Sequence, residues 1–441
     1  MRSLDRLVLV LDGDPEPELA RRGIVLRPTP GAAPPLVREP AAVRALYRDL
    51  ALAGSDVLTA PTGALHRRAL SRLGATRRGR EWIGLALDLV RLAADEADDA
   101  SRPARNGEPA PPLRLAAAVL PLEGIGTAET APDGATAAEE HRAHVGMLAD
   151  AGAEIIRIEG MGSIAESEAA TRAALETGLE TWTGVLVDDS GRSLPSGEPL
   201  DAWVDVVEPM GASALLLAGP SLAATTAALA ALAARTERPL GAALPPDATR
   251  RPTPTPARDA GDGPGPSSLP EARLLDAGAT LVAAGADGSP ARIARLRTEA
   301  DRRNGAVVQQ RREETELQRA WVAQVTARAE PGPAAWLGPP PRPGTLVPPF
   351  TWDVVGPDEI SLLPAGRYRV AVVAADPATP GDMAQLDVLR AAVAALARGG
   401  WLLSEWPQTL DVLAGDERVT SLQPAAPRLS GLACWLARRR P

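Results

Sequence analysis

Short apolar runs alternate with longer amphipathic stretches over the first 300 or so residues, and this alternation limits the fold more than any other feature. The runs occupy residues 7–11, 57–59, 113–119, 155–159, 181–187, 214–217, 240–244 and 281–284. Runs this short, bounded by turn residues, read as buried strands. Between them, 41–53, 82–95, 137–151, 164–176 and 222–234 carry helical spacing. Several strands follow an Ala-Gly pair (Ala53-Gly54, Ala151-Gly152, Ala277-Gly278). Glycine there ends a helix in the left-handed conformation. Eight such units predict an α/β chain built on a (β/α)8 TIM barrel. Periodicity alone also admits an open doubly wound sheet.

Three Pro/Gly-rich stretches interrupt the pattern. Residues 101–112 read as a surface loop, 245–270 as a disordered insertion, and 331–349 as a linker after a charged helix over 304–329. Beyond it, 350–441 reads as a small α/β domain, half-Rossmann-like, with strands at 369–374, 401–404, 419–422 and 432–437 and a helix over 384–397. The expected organisation is a barrel over 1–303, a helix and linker over 304–349, and the small domain over 350–441. A net charge of -9 argues against a nucleic-acid partner. No apolar run is long enough to span a membrane. The 441-residue chain has one cysteine, Cys434, so no internal disulfide or cysteine cluster can form. A cytoplasmic protein without nucleic-acid or membrane partners is expected.

The segment 6–300 resembles the homocysteine S-methyltransferase family. The opening LVLDGDPEPELARRG is similar to that family's first-strand signature, matching at Asp12 and Gly13, with Asp14 where a second glycine is usual. The second-strand region matches at Gly54, Asp56, Thr59 and Thr62, but carries Pro61 and Gly63 in place of Asn and Tyr. The fourth-strand region matches at His141, Leu148, Ala151-Gly152, Glu159, Met161 and Glu168-Ala169. The resemblance implies that Asp12 and Glu159 help hold a substrate ammonium group. The third-strand signature is reduced to AAVLP, keeping only Pro121.

The same resemblance places zinc-binding cysteines after the sixth strand and as a pair after the eighth. Those positions hold Ala218, Gly285 and Ala286 here. A thiol with a pKa near 8.5 is only a few per cent thiolate at neutral pH, and zinc coordination is what deprotonates it. Without the metal, ionisation alone costs about 2 kcal/mol. Zinc is therefore not expected, and no other cofactor is predicted. The stretch 363–406 resembles the latter half of a class I S-adenosylmethionine methyltransferase. The Gly-rich first strand of that family is not evident upstream, which leaves S-adenosylmethionine without support.

The candidate ligand-binding residues are Asp12, Gly13, Thr62 and Glu159; no catalytic residue is assigned. Asp12 either binds an amine or caps the following turn. Glu159 either binds or pairs with Arg157. Thr62 either contacts a ligand or caps a helix starting near Ala64. His141 and His144, at i and i+3, read as a helix start with a partly exposed histidine rather than a metal pair. His66 reads as an isolated helix-surface residue, the acidic run 94–100 as a solvated helix end, and Cys434 as core packing. Three functions fit these residues. The first is a pseudoenzyme that binds a small amino-acid-like ligand or acts as a regulatory subunit, with a protein partner at the C-terminal domain. The second is a zinc-independent methyltransferase acting on a thiol or other small nucleophile. The third is an interaction scaffold.

Overall fold

The computed structural model describes the chain except residues 1–6, 28–31, 101, 106–109, 125–131, 246–268, 330, 338–345, 347–349, 356–362, 374–381, 405–412, 414–415, 425–434 and 441. The chain divides into two compact units, Met1–Val307 and Val308–Pro441. In the first, β1 (Leu9–Gly13), β2 (Val57–Ala60), β3 (Arg114–Val119), β4 (Ile155–Ile158), β5 (Glu180–Leu186), β6 (Ala214–Ala218), β7 (Leu240–Ala243) and β8 (Leu281–Gly285) form a closed barrel in chain order. Every neighbouring pair is parallel, and β8 closes on β1 with Leu9 opposite Leu281 and Gly13 opposite Gly285. Closure removes the open-sheet alternative.

Side chains on a strand alternate between faces. Leu11, Val57, Ala116, Ile155, Trp182, Leu216, Leu281 and Ala283 fill the barrel interior. Val10, Leu58, Ala117, Ile156, Leu215 and Val282 pack outward, in one core with the residues of the surrounding helices.

At the end where the strands begin, Asp56 is buried and engaged through both oxygens. Its Oδ2 accepts from the Val10 N–H at 2.7 Å and from Arg297 Nη1 at 2.9 Å. Its Oδ1 pairs with Arg105. Arg297 also pairs with Asp301 at 2.8 Å. Nearby, Asn304 donates to Val8 O at 3.0 Å and accepts from Val8 N at 2.7 Å, serving the edge of β1 as a neighbouring strand would. Arg105 comes from the stretch expected to be surface loop, so part of that loop is anchored beneath the barrel.

In the second unit, β9 (Pro333–Leu337), β10 (Thr351–Val355), β11 (Tyr368–Val373), β12 (Leu396–Ser404), β13 (Val419–Pro424) and β14 (Trp435–Arg439) form a sheet in the order β10-β9-β11-β12-β14-β13. Only the pairings of β14, with β12 and β13, are antiparallel. One face packs Ala335, Leu337, Ala371 and Val373 against Leu389 and Val393 of the helix Asp382–Ala395. The other packs Ala334, Trp336, Val370, Val372 and Leu403 with Val322.

One expectation about organisation is corrected. The stretch 331–349 is not simply a linker: it contains β9, an inner strand paired with both β10 and β11. Prolines on both sides hid a five-residue apolar run, and Pro333 is tolerated because it is the strand's first residue. The division between the two units, after Val307, falls within the helix Pro290–Thr326. The expected insertion at 245–270 falls almost wholly, and Cys434 entirely, outside the described residues. Among those described, no helix is long and apolar enough to cross a membrane.

Candidate functional site

The carboxyl ends of barrel strands are where such folds place ligands. At that end of β1, alternation would send Asp12 outward with Val10. Its carboxylate instead lies across the seam to β2, only 1% exposed. Asp12 Oδ2 accepts from the Thr59 backbone N–H at 2.6 Å, and Oδ1 accepts from the Thr59 hydroxyl at 2.7 Å. Arg157, at an inward position of β4, donates from Nη1 to Thr59 Oγ1 at 2.8 Å and to Asp12 Oδ1 at 3.3 Å. Its Nε lies 3.1 Å from Glu159 Oε1, an ion pair too far off line to be a hydrogen bond. One guanidinium thus bridges two carboxylates. Tyr47 steadies the seam from the helix side, donating its hydroxyl to Thr59 O at 2.7 Å.

Burial pushes the Asp12 carboxyl up to about 7. The nearby Arg157 charge and the Thr59 hydrogen bonds pull the other way, and the Glu159 charge adds to the rise. The reason is desolvation: taking a carboxylate out of water penalises its charged form.

The other expected residues fall out as follows. Glu159 is partly exposed and adopts the pairing with Arg157. Asp14, not Asp12, caps the turn, accepting from Glu16 N at 3.0 Å. Gly13 is a close-approach residue, since a Cβ there would lie 2.5 Å from Gly285 O. Thr62 caps no helix: its buried hydroxyl donates to Ala118 O at 2.8 Å, and the next helix runs Arg67–Arg72. The network thus unites Asp12 and Glu159 but leaves Thr62 out. Thr59 and Arg157 are its two members that were not named as site residues. An arginine inside an apolar strand, at an inward position, was the available signal.

The histidines depart from expectation. His66 is not an exposed helix residue but the buried N-cap of Arg67–Arg72, its Nδ1 accepting from Ala69 N at 3.4 Å. Its ring meets His144 edge-on at 6.0 Å. His141 and His144, on the helix Gly134–Asp150, are both buried. His141 Nε2 lies 3.4 Å from Glu166 Oε1, which also accepts from the Leu122 N–H. Burial lowers His66 to about 4 and His144 to about 3, with the neighbouring histidines contributing. All three histidines of the chain thus sit together. His66 also lines a cavity of about 900 Å³, formed in part by the segments that follow β1, β2 and β3, with Leu19, Leu36, Leu65, Leu120 and Arg72. The acidic run 94–100 is a helix end whose Asp95, Asp98 and Asp99 are exposed, as expected.

At the same end of the barrel, Ala218 ends β6, Gly285 ends β8 opposite Gly13 of β1, and Ala286 follows. None offers a donor side chain. Gly285 has φ +66°, and a Cβ on it would lie 1.9 Å from the Leu244 carbonyl oxygen. Among the described residues, no group of three or more His, Cys, Asp or Glu side chains is placed to hold a metal ion.

The described barrel can be set beside known proteins. It is similar to the homocysteine methyltransferase MmuM from Escherichia coli. The metallated form of that enzyme aligns with a TM-score of 0.54 at 24% identity, over 66% of this chain and 96% of that one. Its oxidized form aligns at 0.53 and 24%, over 66% and 95%. These likenesses concern the fold. No curated protein matches the sequence. The homocysteine S-methyltransferase family profile matches residues 9–300. That match spans well over half of the chain, which therefore belongs to the homocysteine S-methyltransferase family.

Proposed function

We propose that this family member binds a small amino-acid-like molecule at the barrel mouth and does not carry out zinc-thiolate methyl transfer. The observation that carries this reading is the backbone at position 285. A cysteine there would need a left-handed φ and would drive its Cβ into the Leu244 carbonyl, so the local chain path, as well as the side chain, disfavours a thiolate ligand. Ala218 and Ala286 add no donor, and the described residues do not fit a zinc ion. The buried network of Asp12, Thr59, Arg157 and Glu159 supports the binding half: such clusters at this end of a barrel are where ligands are recognised. Elemental analysis of the purified chain and calorimetric titration with homocysteine and methionine test the two halves. Stoichiometric zinc, or conversion of homocysteine to methionine, would overturn the first. No heat of binding at millimolar ligand would overturn the second.

A second reading, a metal-free methyltransferase, is motivated by the two carboxylates Asp12 and Glu159 at the carboxyl ends of β1 and β4. Methyl transfer measured with chelator present, and lost in Asp12→Ala, would favour it over binding alone.

A further inference from the structure

The Asp12–Arg157–Glu159 arrangement determines what kind of head group the mouth can take. A ligand's ammonium group would need carboxylate oxygens around it. Both Asp12 oxygens already accept hydrogen bonds from the chain, Oδ2 from the Thr59 N–H and Oδ1 from the Thr59 hydroxyl and Arg157, and the residue is only 1% exposed. Glu159 faces the same guanidinium at 3.1 Å. The space between the two carboxylates is filled by a cation belonging to the chain, and a second cation there would meet it at close range. Displacing a side chain that is only 5% exposed would also leave a charge buried without its partner, which is costly.

The donors of Arg157 are only partly used. A guanidinium carries five N–H groups in a planar fork. Nη1 serves Asp12 and Thr59, and Nε faces Glu159. Nη2 has no hydrogen-bond partner among the described residues. Of the other acidic groups of the β1 turn, Asp14 is turned back to its own backbone.

We propose that Arg157 is the specificity-determining residue of the barrel mouth: its guanidinium excludes a ligand's ammonium group and receives a ligand's carboxylate on Nη2. This rests on the reading of the mouth as a ligand pocket and adds which half of an amino-acid-like molecule is recognised. The preferred ligands are then small acids that lack the amine or carry it away from the network.

Calorimetric titration of the full chain with three probes tests this: homocysteine, its deaminated analogue with only the carboxylate, and its decarboxylated analogue with only the ammonium. The carboxylate-only probe is expected to bind roughly ten- to a hundredfold more tightly than the ammonium-only probe, the size of one charge-assisted hydrogen bond. In Arg157→Met the preference should vanish or reverse, because Asp12 and Glu159 are released. In Arg157→Lys it should be weakened but retained. If the variants do not fold, the ranking on the unaltered chain decides. An ammonium-only probe that binds as well as the carboxylate-only one, or a folded Arg157→Met with an unchanged ratio, overturns the proposal alone. Failure of all three probes to bind overturns the pocket reading and the proposal together.

Discussion

Each end of the barrel buries an aspartate against arginine, and the two clusters are completed in different ways. Below the strands, Asp56 meets two guanidiniums and a backbone N–H, and Arg297 is further paired with Asp301. Above them, one guanidinium serves two carboxylates and keeps an unused donor edge. The lower cluster contains more cation than its carboxylate needs and ties loop, strand and helix together. Neither is fully satisfied: Nε and Nη2 of Arg297 below and Nε of Arg157 above are buried without a hydrogen-bond partner. The clusters differ in what they join and where they lie: the lower one links separate segments of the chain, and the upper one stands at the end of the barrel where such folds place ligands.

The largest expected effect breaks the lower cluster. Asp56→Ala leaves Arg105 and Arg297 without their shared carboxylate and should cost the barrel about 3–5 kcal/mol, read from the urea midpoint of its transition. A loss under roughly 1 kcal/mol would mean that Asp56 is not a keystone.

The next tests the upper end as a metal site. Gly285→Cys should cost roughly 1–3 kcal/mol for the left-handed backbone, with more if the Leu244 carbonyl must move. It should bring no stoichiometric zinc by elemental analysis. A stable, zinc-loaded variant would contradict the reading of position 285.

Asp12→Asn is smaller. The new amide can still accept from the Thr59 N–H, but its NH₂ faces Arg157 and the Thr59 hydroxyl, a loss of about 1–2 kcal/mol. The pH dependence sharpens the comparison further. The folded pKa of Asp12 lies above the ordinary 3.8, so the folded state holds the proton more tightly than the unfolded one. Its contribution to stability is complete below 3.8 and is lost as pH rises through about 7. Urea midpoints measured across that window should fall with a term that Asp12→Asn lacks.

His66 and His144 act in the opposite sense. Their folded values lie below the ordinary 6.5, so their contribution is complete above 6.5 and is lost as pH falls towards about 4 and then 3. His144→Leu should be the mildest change. Neither ring nitrogen makes a hydrogen bond, so little is lost at neutral pH, while the acid limb of the stability profile should flatten. A variant with an unchanged acid limb would show that His144 does not carry that limb.

Much of this architecture was legible in the sequence because periodicity is a local property. The eight apolar runs lie on the eight barrel strands, and Asp12 and Glu159 stand at the ends expected of them. What was missed depended on neighbours distant in the chain. β9 was lost among prolines because five apolar residues reveal a strand only when β10 and β11 flank it. The histidines read as separate because His66 reaches the other two only when the helix Gly134–Asp150 packs beside the β2 loop. Arg157 was noticed only as a pairing partner for Glu159, since its bond to Asp12 spans 145 residues.

The sequence by itself determined the repeated strand–helix frame, the family and the absence of sulfur at positions 218, 285 and 286, because each is written in residue type and spacing. Only the tertiary structure decided which charges meet. Closing the barrel brings β1, β2 and β4 to one mouth, and there a guanidinium from one strand occupies the space between two carboxylates. Electrostatic partnership depends on distance and burial, and neither exists until the chain has folded.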